Sequence, residues 1–463
     1  MADRWLVAGG GFRGIVGAYL LARANHPVVL VDSVKSSSDL GGVLSSTPWQ
    51  GFYLDKGCHL FANTDDKITE VLMDLLGEEN SHPVTVRYAS IINRTVTDGF
   101  AIPDLSAYGE AASRDILYQL LKVASEPPAA QEESLQDKLN NRYGTVAGDY
   151  LSAAFRKQFR AEAADISPEA FSTAPFKRIR FLDDKEADIL KESPVLDDRV
   201  ASSSQSDPMR FWRKQAQRYP FREFYPNKNG TRGFCEQAAL RLAELGVSME
   251  LGWGIDQVRA DDSGINIVLS SGATVKGDRL LWTAGIEALG RAMGLGDGIS
   301  DYIHSVPSLL YYFSIPSGTE GPYTYLQNFD LEDLFFRASV PGSYGLNNCP
   351  EGLSYVCCEI STSFGSPEWC NPGDFAPRVW TELRQYDVVR CEEPVDLLAV
   401  KVPSSYKLPK VGYRHAAAQL LDRVVHRERV LITEQWEFSK NDSIRSLQNM
   451  LEGVESGRAV ETA

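Results

Sequence analysis

Apolar residues in this chain form short continuous runs separated by stretches with helical spacing. Trp5-Leu6-Val7-Ala8 is a run of the kind shown by a strand buried on both faces. Helical spacing follows over residues 12–24, and a second run, Val28-Val29-Leu30-Val31, ends on Asp32. Strand, helix and strand in this order predict a βαβ start and a parallel sheet.

Residues 65–76 have helical spacing with Thr64 or Asp65 as the cap, and short strands are expected over 84–103 with Thr97-Asp98-Gly99 as a hairpin turn. Residues 112–123 and 150–160 read as helices. The stretch 183–208 is charged and ends Ala201-Ser202-Ser203-Ser204-Gln205-Ser206, which predicts an exposed insertion. Tyr225-Pro226 and Gly230-Thr231-Arg232-Gly233 lead into a helix ending at Leu245. Strand-like runs follow near 248–260, 264–270 and 273–283, the last closing on Thr283-Ala284-Gly285. Residues 308–316, 323–327 and 353–361 predict a second sheet, with a helix near 374–389 against it. After 395–402 the chain is expected to return to the first domain. There Val430-Leu431-Ile432-Thr433-Glu434 reads as a buried strand ending on an acid, and 443–459 as a closing helix capped by Ser443.

The turn after the first strand carries the clearest chemistry. Gly9, Gly11 and Gly14 fit G-x-G-x-x-G between a strand and a helix. The first glycine allows a tight turn, the second lets the backbone approach a pyrophosphate, and the third lets helix pack on strand. The N–H groups at the helix start, including Phe12 and Arg13, then face the phosphates. Asp32, followed by Ser33, ends the second strand, where a carboxylate can accept hydrogen bonds from the adenosine ribose. A dinucleotide is the expected ligand.

Composition narrows the partners. At 43% apolar and 24% charged the chain is an ordinary globular protein, and its length predicts two or three domains. A formal charge of −15 argues against nucleic acid, which needs a basic field. The short basic run Lys177-Arg178-Ile179-Arg180 reads as a solvated face, with contact to a phosphate-bearing substrate as the alternative. No signal peptide or membrane span is expected, since a strand begins near Met1 and the apolar stretch 14–31 is broken by Arg23, Asn25, His26 and Pro27. Seven cysteines without a C-x-x-C pair predict reduced thiols, a cytoplasmic setting and no metal site; Cys357 and Cys358 are expected on opposite faces of one strand.

The glycine loop, Gly41-Gly42, the Tyr-Pro and Gly-Thr-Arg-Gly segment, Thr283-Ala284-Gly285 and the run 452–458 together resemble an FAD-binding superfamily. It includes the amine oxidases, protoporphyrinogen oxidase and UDP-galactopyranose mutase. The resemblance implies an α/β fold in which a Rossmann-like, glutathione-reductase-like FAD domain is interrupted by a helical region and an α+β substrate domain. The segments would be 1–85, 220–300 and 395–463 for FAD, 86–219 for the helical insertion, and 301–394 for a β-rich substrate domain.

The resemblance also implies non-covalent FAD and assigns residues to it. Gly41, Gly42, Val43 and Leu44 would lie along the pyrophosphate and ribityl chain. The backbone of Val258 would meet the adenine, Glu434 would meet the ribityl or pyrophosphate region, and Thr283, Ala284 and Gly285 would also bind the cofactor. The closing helix, with Asn449 and Met450, would aim at the flavin N1–C2=O edge, where reduction places negative charge.

Gly57-Cys58-His59-Leu60-Phe61 is similar to a Gly-Pro-His-x-Phe-His-Thr segment of the mutases, which places His59 beside the flavin. Cys58 and Ala62 replace that segment's proline and second histidine. His59 and Arg232 are the catalytic candidates; for His59 the alternative is a turn held through a backbone hydrogen bond, and for Arg232 a surface salt bridge. Tyr311, Tyr312, Tyr323, Tyr325, Trp282 and Tyr413 are candidates for an aromatic wall, with core packing as the alternative. The leading expectation is a flavin-dependent oxidoreductase passing hydride from a small organic substrate (amine, sugar nucleotide or biosynthetic intermediate) to N5. The alternatives are a redox-neutral mutase acting on a nucleotide sugar and a non-catalytic flavoprotein. The expected partners are the small-molecule substrate and a second copy of the chain in a homodimer.

Overall fold

Five parallel strands form the first sheet, in the order Ser248–Leu251, Val28–Asp32, Trp5–Ala8, Arg279–Trp282 and Val430–Ile432. The computed structural model describes residues 2–127, 131–202, 216–433, 436 and 439–455. The two apolar runs pair as expected, Trp5 opposite Val28 and Ala8 opposite Val31. Their side chains are buried on both faces. Trp5, Val7 and Leu30 join the helices Phe12–Arg23, Thr231–Glu244 and Lys440–Glu455 on one side. Leu6, Ala8, Val29 and Val31 meet a small antiparallel sheet of Ile255–Asp261, Gly264–Leu269 and Thr274–Gly277 on the other. Each such buried aliphatic side chain contributes roughly 1.5–3 kcal/mol.

The run expected as one strand near 248–260 is two, because Gly252-Trp253-Gly254 carries the chain from the parallel sheet into the antiparallel one. Asp65 caps the helix Asp66–Leu76 by accepting from the Lys67 N–H. The closing helix begins at Lys440 rather than Ser443. Ser439 accepts from Asp442 N–H at 3.0 Å and donates to its carboxylate, so the cap lies one turn earlier than the apolar spacing indicated.

A seven-stranded sheet stands beside this domain, in the order Asp396–Pro409, Ile303–Pro316, Leu353–Ser361, Arg337–Ser339, Tyr325–Asn328, Tyr88–Ile92 and Thr95–Asp98. Asp396–Pro409 pairs along the length of Ile303–Pro316, so the chain stays in this sheet well past 395 before it returns to the first domain. The hairpin expected within 84–103 also belongs to it. Its turn is Asn93-Arg94 and not Thr97-Asp98-Gly99, since those two residues carry the positive φ values of 48° and 58° that a tight hairpin needs.

Alternation along the central strands sends side chains to opposite faces. Tyr311, Phe313, Cys358 and Ile360 pack under the helix Pro372–Gln385, while Leu310, Tyr312 and Cys357 pack against Phe52 and Leu54. Tyr311, Tyr312 and Trp282 are therefore core residues. The helices Glu110–Ser125, Leu135–Tyr143 and Thr145–Phe159 surround Leu139, Tyr143, Leu151 and Phe155 and close on Tyr406 of the sheet and on Phe329 and Phe336 beside its strand ends. The charged stretch from 183 is packed as far as Ala201, with Ala187, Leu196 and Val200 buried in that same cluster. The serine run from 203 to 208 lies outside the described residues. Among the described residues no helix is long and apolar enough to cross a membrane.

Candidate functional site

A cavity of about 470 Å³ runs from the glycine loop to the seven-stranded sheet. Its outer part is backbone. Gly11 meets Gly41 in an isolated parallel bridge, and the Gly41 N–H donates to Gly10 C=O at 2.7 Å. The three glycines of the motif differ in what a side chain would strike. A Cβ on Gly14 would sit 1.7 Å from Gly9 C=O, so helix and strand touch there. Gly9 has φ +100°, and its Cβ would lie 2.7 Å from Thr283 Oγ1. A Cβ on Gly11 meets nothing within 4 Å, because the space beside it is the cavity itself. That is the pattern a backbone-lined pyrophosphate slot requires.

Asp32 stands beside this loop. Its carboxylate accepts from Gly10 N–H at 2.5 Å and Val34 N–H at 2.9 Å, which fixes the crossover and aims the acid at the loop. Phe12, Arg13, Gly42, Val43, Leu44 and Thr283 line the slot.

The inner end is built from side chains. Asp55 is buried, accepts from Ser46 Oγ at 2.6 Å, the Tyr225 hydroxyl and Thr231 N–H at 3.0 Å, and pins the turn that follows. Burial raises its pKa, and these donors oppose the rise. Gly57 then takes φ +100°; a Cβ there would sit 2.9 Å from the Glu359 carboxylate. The missing side chain lets Glu359 press against the loop that carries Cys58 and His59.

Glu359 holds Arg337 through two parallel bonds of 2.5 and 2.6 Å, with both side chains almost fully buried. Burial disfavours the guanidinium charge, but Glu359 overcomes this and Arg337 stays charged. His59 Nε2 lies 3.0 Å from Lys56 C=O. A carbonyl only accepts, so Nε2 carries the proton and Nδ1 is the acceptor. Burial, then the Lys440 and Arg337 charges, hold the imidazole well below its ordinary pKa, so it is neutral at pH 7. Lys440, the first residue of the closing helix, donates to Leu60 C=O at 3.0 Å and lies over the Phe61 ring; burial pulls its pKa down to about 8. Burial likewise pushes the Cys58 thiol up to about 11.

Several predicted residues fall elsewhere. Arg232 is not among the lining residues: it pairs with Asp39 at 3.0 Å and Glu236 at 3.0 Å, because its helix presents that face to the loop 37–39. It is a structural ion pair. Asn449 is exposed and Met450 packs in the apolar core, nearly ten residues past the helix start, which at ~1.5 Å per residue sets them far from the cavity. Val258 does not line the cavity; its side chain is buried behind the first sheet, while the expectation placed only its backbone at the adenine. Asp32, Ser33, Gly57, Ala284 and Gly285 do not line the cavity, and Glu434 lies outside the described residues.

Sequence reading missed Lys56, Arg337, Glu359, Lys407 and Lys440 at the inner end. Only Lys440 had a local signal, the S-x-x-D cap formed by Ser439 and Asp442 just ahead of the helix pattern.

A second cavity of about 490 Å³ adjoins the first and shares Arg337 and Thr173 with it. Tyr88, Tyr325 and Gln327 of the sheet form one side, and residues 172–178 with 201–202 form the other. Tyr325 is thus the one predicted wall aromatic found at either cavity.

Residues 7–76 match the sequence model of a family described as an NAD(P)-binding Rossmann-like domain. No curated protein sequence matches the chain. Among solved structures, reduced UDP-galactopyranose mutase is similar over 100% of this chain and 97% of its own, with a TM-score of 0.73 and 15% identity. Putrescine oxidase bound to putrescine is similar over 98% and 99%, with a TM-score of 0.65 and 13% identity. A fatty acid isomerase of P. acnes that produces CLA is similar over 97% and 98%, with a TM-score of 0.61 and 12% identity. The chain shares the fold of these proteins from end to end.

Proposed function

We propose that this chain is a flavin-dependent oxidoreductase that binds FAD and oxidises a small organic substrate. One observation carries this reading: a single cavity joins the backbone slot at Gly11 and Gly41 to a buried inner end holding His59 and Lys440. The residues fit a flavin dinucleotide. The slot is open where a Cβ on Gly11 would project, and the inner end is rich in cations.

When bound, the flavin would supply a two-electron acceptor. The chain's own residues do the rest. Backbone N–H groups at the start of Phe12–Arg23 hold the pyrophosphate, and Asp32 receives the ribose hydroxyls. The N-terminus of Lys440–Glu455, with the Lys440 ammonium on it, favours negative charge at the inner end. His59 keeps an unprotonated Nδ1, which can accept a hydrogen bond at the inner end. Leu310, Tyr406 and Trp436 are buried around the inner end and exclude water.

Purified protein should be yellow or take up FAD, and candidate substrates should bleach it anaerobically. A protein that cannot take up FAD would overturn the reading. A redox-neutral mutase is the second reading, supported by His59 at the inner end of the cavity in a loop similar to that of the mutases. Its mark is turnover that needs prior reduction by dithionite and consumes no electrons.

A further inference from the structure

The second cavity has an uneven charge. Among the described residues, its charged lining is four cations, Lys177, Arg178, Arg222 and Arg337, against one carboxylate, Asp442. They arrive from separate segments: the turn after Pro168–Thr173, the residue before Glu223–Pro226, and the strand Arg337–Ser339. In a chain of net charge −15, positive charge is gathered on one concave wall. A concave surface of one sign concentrates ligands of the other.

We propose that this chamber is the substrate site and takes an organic oxyanion, a carboxylate or phosphate attached to an apolar body, in preference to an amine. The inference rests on the flavoenzyme reading for its chemistry. The partners reduce the excess without cancelling it, because Asp442, Glu359 and Glu223 stand against the four cations. Arg178 donates through Nε to the Asp197 carbonyl at 2.9 Å, a neutral acceptor. Lys177 stands 3.9 Å from Asp442, whose carboxylate also binds Arg445 at 3.2 Å. Arg337 is matched by Glu359, and Arg222 pairs through Nε with the buried Glu223 at 2.7 Å.

The geometry also supplies orientation. Arg222 lies 5.1 Å from the Tyr88 ring centre, and the Tyr88 hydroxyl donates to Glu223 at 2.9 Å, so the guanidinium is held in place. Tyr88 and Tyr325 meet edge to face at 5.5 Å and give an aromatic wall beside the cations. A planar guanidinium with an adjoining apolar wall suits an oxyanion on a hydrophobic body. A protonated amine would be repelled by Lys177 and Arg178, which no buried carboxylate matches.

The test uses FAD-saturated protein titrated with benzoate, phenyl phosphate, benzamide and benzylamine, which share one ring and differ in charge. Binding is read from the flavin spectrum and by calorimetry. At least one of the two anions should bind about tenfold or more tighter than benzamide, benzylamine should bind weakest, and added salt should weaken only the anions. Lys177→Gln and Arg178→Gln, at exposed and half-exposed positions, should each weaken the preferred anion by roughly three- to tenfold and leave benzamide unchanged. Arg222→Gln should do more. The proposal falls if benzylamine binds as well as the anions, if none of the four binds, or if Lys177→Gln and Arg178→Gln leave anion affinity unchanged. The flavoenzyme reading fails separately, by absence of FAD uptake. Calorimetry on cofactor-free protein would still report the anion preference and its loss in the Lys177 and Arg178 variants.

Discussion

The two ends of the first cavity would handle a ligand in opposite ways. At the glycine loop the chain offers backbone, and its demands are steric: Gly9 and Gly14 leave no room for a methyl group, while Gly11 leaves room that belongs to the ligand. At the inner end the chain offers charge, carried on Arg337, Glu359, Lys56 and Lys440 from distant segments. There the demands are electrostatic, because Arg337 and Glu359 sit where water cannot neutralise them. The outer end should tolerate a change of charge and resist a change of volume. The inner end should do the reverse.

Arg337→Met breaks this contrast hardest. It keeps the volume of the side chain but leaves Glu359 buried without a partner, and should cost about 3–5 kcal/mol in a denaturant titration. Adding Glu359→Met should recover most of that loss; a double variant as unstable as the single would show that shape, not charge, governs the inner end. Gly14→Ala probes the other end. Its methyl meets the rigid carbonyl of Gly9, so a loss of about 1–3 kcal/mol is expected with no change of charge.

His59→Gln separates the ends by pH. The folded pKa of His59 lies below its unfolded value of 6.5, so the unfolded chain takes up the proton first. Its neutral form therefore supports the fold fully above about pH 6.5, and that support is lost as pH falls below it. Stability of the glutamine variant should fall less steeply between about pH 7 and 5 than that of the wild type, and equal slopes would refute the buried neutral imidazole. Gly11→Ala should have the smallest effect on the fold, within about 0.5 kcal/mol, since its φ of −69° suits alanine and its Cβ meets nothing. Yet the flavin retained after purification should drop, because the methyl enters the slot.

How far the sequence reveals the molecule follows the same division. The glycine loop is legible because its strand, turn, helix and acid lie within 32 residues, and their spacing reports a local geometry. The loop placed His59 at the cavity, and the same side chain also holds its turn through the Lys56 carbonyl, the alternative expected for it. Arg337 and Glu359 were not legible, because they lie 22 residues apart and meet only when two strands pair in register. Arg232 misled for the opposite reason: the Gly-Thr-Arg-Gly segment marks a helix start, but the helix turn directs that arginine to Asp39 and Glu236. The boundary near 395 was misplaced because the half-exposed strand Asp396–Pro409 alternates weakly and shows its partner only through pairing.

The wall shared by the two cavities has a thermodynamic consequence. Arg337 faces both, held from behind by Glu359, so a ligand in either space acts on one guanidinium. Whatever factor an occupant of the second cavity applies to flavin affinity, the flavin must return to that occupant. Neither dissociation constant is then a property of its own cavity. Each is a reading of the other cavity's occupancy, and the two can be measured apart only by titrating both.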